Sequence, residues 1–237
     1  MDARLRVLVH GATGRMGQAL LRLCAEAPER YDVVAAVSQR PSQRVIDGVP
    51  QFAAAEMNGV PAFDVAIDFS LPGAFDRLLA LCLARKAACV SGTTGLSGPQ
   101  REALAQAGTV IPACWASNFS LGVAVLHGLV ERAARALPGW DCDIVEAHHS
   151  RKQDAPSGTA LTLGAAAADG GAEPRYASLR AGDIVGEHTV QFTGPGERIE
   201  LVHRAGNRDV FARGALHAAG QLVGRPAGLY RVGDLLE

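Results

Sequence analysis

A short apolar run, Arg6-Val7-Leu8-Val9, passes into Gly11-Ala12-Thr13-Gly14-Arg15-Met16-Gly17 and then into a stretch placing Leu20, Leu23, Cys24 and Ala27 on one helical face. A strand that ends in a glycine turn and opens a helix is the first half of a strand–helix–strand unit. Such crossovers are right-handed and build parallel sheets. The alternation continues. Tyr31 to Val37 and Val65-Ala66-Ile67-Asp68-Phe69 read as buried strands, and Phe75, Leu78, Leu79 and Cys82 recur at i, i+3, i+4 and i+7. Ala88-Cys89-Val90 and Thr109-Val110-Ile111 read as further strands, with a helix from Pro99 between them. Proline in that first turn gives up only an amide without an intrahelical partner. The first half is expected to be an α/β, Rossmann-type parallel sheet covered on both faces.

The pattern changes after Ser117. Leu126, Leu129, Val130, Ala133, Ala134 and Leu137 fall at helical spacing, followed by extended runs at Asp141–His148, Ile184–Phe192 and Arg198–His203. In the last run Ile199, Leu201 and His203 alternate with Glu200 and Val202, as one covered sheet face requires. Strands without intervening helices point to an open, mostly antiparallel sheet. The tail from Ala212 reads as helical and rejoins the first domain. The expected architecture is two domains with a cleft between them.

Composition excludes several classes. Twenty-three basic against 24 acidic side chains give a net charge of −1, which lacks the footprint of a nucleic-acid binder. A 48% hydrophobic content argues against disorder. The opening MDARLRVLVH has too short an apolar run for a signal peptide, and nothing approaches the ~18 apolar residues of a membrane span. The five cysteines are odd in number and contain no C-x-x-C pair, which argues against a disulfide framework and a metal site. A reduced, soluble, cytoplasmic protein is expected.

The glycine turn suits a dinucleotide. Glycines permit a tight turn and close approach of backbone to pyrophosphate, while the helix start offers unpaired N–H groups and a positive dipole end. Its spacing is G-x-x-G-x-x-G, and a packing turn without a ligand is the alternative. Arg15 either pairs with a phosphate or is a solvated helix-start side chain. An acidic residue is expected about 20 residues on, to bind the adenosine ribose. That strand ends instead in Val37-Ser38-Gln39-Arg40, with Arg44 beyond it. The lack of a carboxylate and the nearby arginines tilt the choice toward NADPH over NADH.

Glu146 to Ala160, EAHHSRKQDAPSGTA, is the densest chemistry in the chain. Ser157 is placed to cap a helix whose next amides, at Gly158 and Thr159, can take a carboxylate. Lys152 is placed to hold another anionic oxygen of the same small dicarboxylate. Neighbouring strand residues face opposite ways, so His148 and His149 share a site only if the strand ends there. Each histidine alone reads equally as a hydrogen-bonded structural residue, and Lys152 as a solvated loop charge; their clustering favours a site. His10, His127, His188, His203 and His217 are read as structural.

The E-A-H-H-x-x-K-x-D-A-P-S-G-T-A pattern resembles the signature of the dihydrodipicolinate reductase family, the 4-hydroxy-tetrahydrodipicolinate reductases of lysine and diaminopimelate biosynthesis. The likeness extends to Gly11–Gly17, Gly92-Thr93-Thr94-Gly95, Ser117-Asn118-Phe119-Ser120 and Arg180–His188. It implies a dinucleotide-binding domain at 1–117 and 208–237, and a substrate and tetramerisation domain at 118–207; with the two sites on different domains, closure is expected about hinges near Ser117 and Asn207–Arg208. It implies NAD(P)H-dependent reduction of a cyclic hydroxy-dicarboxylate, a homotetramer, and no nucleic-acid or membrane partner. The family's proton donor falls on His148, assisted by Lys152. Its substrate contacts fall on His149, Lys152, Ser157, Gly158 and Thr159. Its cofactor contacts fall on Gly11, Ala12, Thr13, Gly14, Arg15 and Met16, on Gly92, Thr93 and Thr94, and on Ala116, Ser117, Asn118 and Phe119; Ser38 and Arg40 belong to the same expected site. Ser38 departs from the acidic residue many members carry. Pro41–Val60 and Asp169–Ala177 read as trimmed loops. The competing readings are an aspartate dehydrogenase, a cofactor-binding sensor without turnover, and a ligand-free structural oligomer.

Overall fold

A computed structural model describes residues 4–236. The chain divides into two compact units, Met1–Phe119 with Phe211–Glu237, and Ser120–Val210. Among the described residues no helix is long and apolar enough to cross a membrane.

The first unit contains β1 (Leu5–His10), α1 (Arg15–Ala25), β2 (Tyr31–Ser38), β3 (Val45–Ile46), β4 (Val49–Ala53), β5 (Val65–Asp68), α2 (Pro72–Arg85), β6 (Ala88–Ser91), α3 (Gly98–Ala107) and β7 (Pro112–Trp115). Its C-terminal segment adds α6 (Asp209–Leu222) and β12 (Gly228–Tyr230). The sheet order is β12-β7-β6-β5-β1-β2-β4-β3, parallel except for the β3–β4 pair. The apolar runs of β1, β5 and β6 are buried throughout their inner residues, as strands covered on both faces must be. Leu8, Ala66, Phe75, Leu78, Cys82, Cys89 and Ile111 lie in one core cluster. The tail does rejoin this unit, where β12 pairs in parallel with β7.

Some details differ from the sequence expectation. Thr109–Ile111 is not a strand. The amides of Thr109, Val110 and Ile111 bond back to Gln106 and Ala107 at the end of α3, so none is available to a ladder, and the strand starts at Pro112. Ala27 lies beyond α1, its amide turned onto the Cys24 carbonyl. Pro41–Val60 is not a bare loop. It carries β3, β4 and a 3₁₀ turn at Ala54–Gly59, strands too short for an apolar period to register.

The second unit contains α4 (Leu121–Ala136), β8 (Asp141–His148), α5 (Gly158–Asp169), β9 (Pro174–Arg180), β10 (Gly186–Gly194) and β11 (Glu197–Ala205). Its sheet, ordered β11-β10-β8-β9, is antiparallel except for the parallel β8–β9 pair. Leu126 and Val130 of α4 and Ala160, Leu163 and Ala167 of α5 pack with Cys142, Ile144, Val190 and Phe192 from one face of the sheet. Among the described residues nothing covers the other face where it carries the exposed Val145, Leu179 and Val202. Part of β9 lies in the segment expected as a trimmed loop. It is an edge strand whose middle residues are all exposed, which leaves no alternation to read. On β11 the covered face begins at Leu201, and Ile199 is exposed.

Candidate active site

In the first unit the strand ends build a cradle. Gly11, at φ +80°, turns the chain out of β1, and a Cβ there would lie 2.5 Å from the Phe69 carbonyl oxygen. A Cβ at Gly17 would lie 2.3 Å from the Gly11 oxygen, so α1 approaches the turn more closely than any side chain permits. Gly14 caps α1 without a side-chain hydrogen bond, and the first turn holds no acidic residue. That helix start leaves its amides and dipole to an anion, and it fits a pyrophosphate. Thr13, Gly14 and Arg15 are exposed at the turn, Met16 is half-buried, and Ala12 is buried beneath it.

The other expected cofactor residues play unequal parts. Thr94 is exposed beyond β6, after Gly92. Thr93 is buried with its groups engaged inside the unit: its hydroxyl donates to Asp68, its amide to Ser91 Oγ, and its carbonyl accepts from Trp115 Nε1 at 2.9 Å. Ala116, Ser117 and Asn118 follow β7 at partly or fully exposed positions, and Phe119 is buried edge-on against Phe69. At the end of β2, Ser38 is buried with no partner for its hydroxyl, and Arg40 is exposed. Arg44 is held by Glu56 at 2.8 Å.

In the second unit, β8 alternates so that Glu146 and His148 face inward together. Glu146 is fully buried and its carboxylate is the hub of the site. His148 Nδ1 lies 2.5 Å from Oε2, Arg180 Nη2 donates to Oε1 at 2.7 Å and Nη1 to Oε2 at 2.9 Å, and the Ser157 amide donates to Oε1 at 3.3 Å. Burial opposes the charge, but hydrogen bonds from Arg180, Ser178 and His148 outweigh it and pull the carboxyl down to about 2. An ionised Glu146 accepts only, so His148 carries its proton on Nδ1 and turns Nε2 away. A Cβ at position 186 would sit 3.1 Å from that Nε2; glycine keeps the edge clear.

β8 ends at His148, which meets the condition for both histidines to serve one site. His149 is half-buried. Burial, and then the charges of Arg208 and Arg151, with His148 and Lys152 contributing less, hold its imidazole below the ordinary range. That field marks a patch suited to a dianion. Lys152 is paired with Asp154 at 2.8 Å, an exposed partner that a ligand carboxylate can replace cheaply. Ser157 caps α5, accepting from the Ala160 amide, and its hydroxyl meets His188 Nε2 at 3.2 Å. The serine therefore holds the helix start, whose exposed Gly158 and half-buried Thr159 follow.

Three members escaped the sequence reading. His188, read as structural, packs edge-on against His148 with ring centroids 5.2 Å apart, opposite Glu146 in the ladder. Burial, then the neighbouring His148, lowers its pKa to about 4, so it is neutral near pH 7. The available signal was parity, since His188 shares its inward face with Gly186, Val190 and Phe192. Arg180 has no role in the sequence reading beyond its place in the Arg180–His188 stretch. Arg208 was placed only in a hinge.

Comparison with known proteins shows the family and the fold. Family models described as "Dihydrodipicolinate reductase, N-terminus" and "Dihydrodipicolinate reductase, C-terminus" match residues 5–119 and 122–236. The chain is 74% identical over 234 residues to a 4-hydroxy-tetrahydrodipicolinate reductase of Stenotrophomonas maltophilia, covering 98% of each. It is 68% identical over 232 residues to one of Xanthomonas campestris, again covering 98% of each. Its fold is similar to that of a dipicolinate-bound dihydrodipicolinate reductase from Paenisporosarcina, with a TM-score of 0.84 at 23% identity over 99% of this chain and 100% of the other.

Proposed function

The chain belongs to the dihydrodipicolinate reductase family, and we propose that it reduces 4-hydroxy-tetrahydrodipicolinate to tetrahydrodipicolinate, with loss of water, in lysine and diaminopimelate biosynthesis. The observation that carries this reading is the Glu146–His148 pair, braced by Arg180 beside an anion-ready helix start and a cluster of cations.

NADPH or NADH, when bound, supplies the hydride. The chain's own residues do the rest. His148 delivers the balancing proton from Nε2 as general acid, while Glu146 fixes Nδ1–H and with it the tautomer and ring plane. Lys152 exchanges Asp154 for a substrate carboxylate and polarises the ring. The Gly158 amide, Thr159 and His149, with Arg208 nearby, orient the second carboxylate. In the first unit the Gly11–Met16 turn, Gly92, Thr94 and Ala116 to Phe119 hold the dinucleotide, and Thr93 braces the turn from within. Ser38 offers no carboxylate to repel a 2′-phosphate, and Arg40 is exposed beside it, which favours NADPH. The uncovered sheet face, with Val145, Leu179 and Val202, supports assembly into a homotetramer.

The test is the loss of reduced-nicotinamide absorbance on adding freshly generated 4-hydroxy-tetrahydrodipicolinate, with both cofactors in parallel. Turnover is expected with at least one. Folded protein that oxidises neither would end the proposal.

A further inference from the structure

β5 is a buried apolar strand that ends in a carboxylate, Asp68, with no exposure at all. In ladder register it stands between His10, the last residue of β1, and Ser91, the last residue of β6. Its oxygens are saturated. Oδ1 accepts from His10 Nδ1 at 2.8 Å and from the Ser70 amide at 3.1 Å; Oδ2 accepts from Ser91 Oγ and Thr93 Oγ1, each at 2.8 Å. Burial works against the charge, but bonds from His10, Ser70 and Thr93 prevail and hold the carboxyl below its ordinary range. The catalytic reading uses none of this row.

Stability does not explain it. A buried polar network is rarely more stable than apolar side chains of the same volume, and it serves best where it fixes one geometry. The three residues of the row each end a strand, and the chain then leaves the sheet: His10 into the Gly11 turn, Asp68 into the loop at Phe69, and Ser91 into the loop at Gly92. These connections interlock with little clearance. A Cβ at Gly11 would stand 2.5 Å from the Phe69 oxygen, and one at Gly92 would stand 2.1 Å from the Phe69 ring. The Ser70 amide also donates to Thr93 Oγ1 at 3.1 Å, tying the β5 turn to the β6 turn.

We propose that Asp68 is a positioning residue for dinucleotide binding, clamping the glycine-rich turn after β1 and the Gly92-Thr93-Thr94 turn after β6 at one fixed spacing through His10, Ser70, Ser91 and Thr93. This rests on the cofactor reading above. Asp68 touches no reacting atom; it acts through the turns. Asparagine in its place removes the charge and turns an N–H₂ toward the Ser91 and Thr93 hydroxyls, which must reverse to accept it and leave their own O–H groups without the acceptor they had, so the common anchor is weakened.

The experiment is direct titration of NADPH and NADH, by nicotinamide fluorescence, into wild type, Asp68→Asn and the milder Ser91→Ala. Amide exchange at residues 11–17 and 92–95 is measured without cofactor, and the substrate KM at saturating cofactor serves as control. Asp68→Asn is expected to weaken cofactor binding about tenfold and Ser91→Ala about threefold. Exchange should quicken in both turns while the substrate KM stays put. A folded Asp68→Asn protein that binds cofactor like wild type overturns the inference, as does a parallel rise of the cofactor Kd and the substrate KM. If Asp68→Asn does not fold, unchanged cofactor binding and turn exchange in Ser91→Ala overturn it instead. Wild type that binds neither cofactor defeats the functional reading itself, and this inference with it.

Discussion

Glu146 and His148, two residues apart on one strand, point to the same face and meet at 2.5 Å. With Arg180 neutralising the carboxylate from the neighbouring strand, the imidazole has one orientation and one tautomer. General acid catalysis by a positioned side chain contributes about 10²–10⁴-fold. His148→Gln should lower kcat by that range and leave the substrate KM within a few-fold. Glu146→Gln should lower kcat by about tenfold to hundredfold, since the acid remains but its ring is unbraced. Steady-state kinetics on folded variants decide; near-normal kcat in both contradicts the assignment.

Lys152 is shared between Asp154 and the expected carboxylate. Lys152→Ala should raise the substrate KM by about tenfold or more, as expected for loss of a charge-assisted contact. Asp154→Asn frees the lysine and should lower that KM severalfold. Its melting temperature should hardly change, because an exposed pair is worth about 0–1 kcal/mol. A rise in KM for Asp154→Asn would mean that the pair orients Lys152 rather than competing for it.

His188 contributes to the loss of stability in mild acid. Its pKa falls from the ordinary 6.5 to about 4, so the unfolded chain binds a proton that the folded chain refuses. Stability is whole above pH 6.5, declines as pH falls toward 4, and loses on the order of 3 kcal/mol by then. Glu146 has the opposite sign of charge but a later window: its carboxylate stabilises the fold above pH 4.5, and that contribution is lost between 4.5 and about 2. Denaturant melts across pH should therefore show a shallower slope between 6.5 and 4 in His188→Leu, whatever its absolute stability. An unaltered slope would contradict a neutral, buried His188.

The proposed preference for NADPH turns on Arg40. Arg40→Ala should raise the KM for NADPH about tenfold and leave that for NADH unchanged, because only the former carries the 2′-phosphate. Equal effects would place the arginine elsewhere.

Much of the fold was legible because both-face burial leaves unbroken apolar runs, as in β1, β5 and β6, and because glycine marks the turn after β1. The edge strand β9 was not, since exposure removes its period, and Thr109–Ile111 misled because its β-branched residues close a helix instead. The site was legible where its chemistry is contiguous, from Glu146 to Thr159. His188 and Arg180 reach Glu146 only through the pairing of β10 and β9 with β8. His10 and Asp68 are likewise united by strand order rather than by any local pattern.

The most direct measurement is a crystal structure with dipicolinate and a nicotinamide dinucleotide bound. One carboxylate should lie on the Gly158 amide and Lys152, with the ring within hydrogen-bonding reach of His148 Nε2 and Nδ1 still on Glu146. A ring bound away from these groups, or a His148 turned off Glu146, would contradict it.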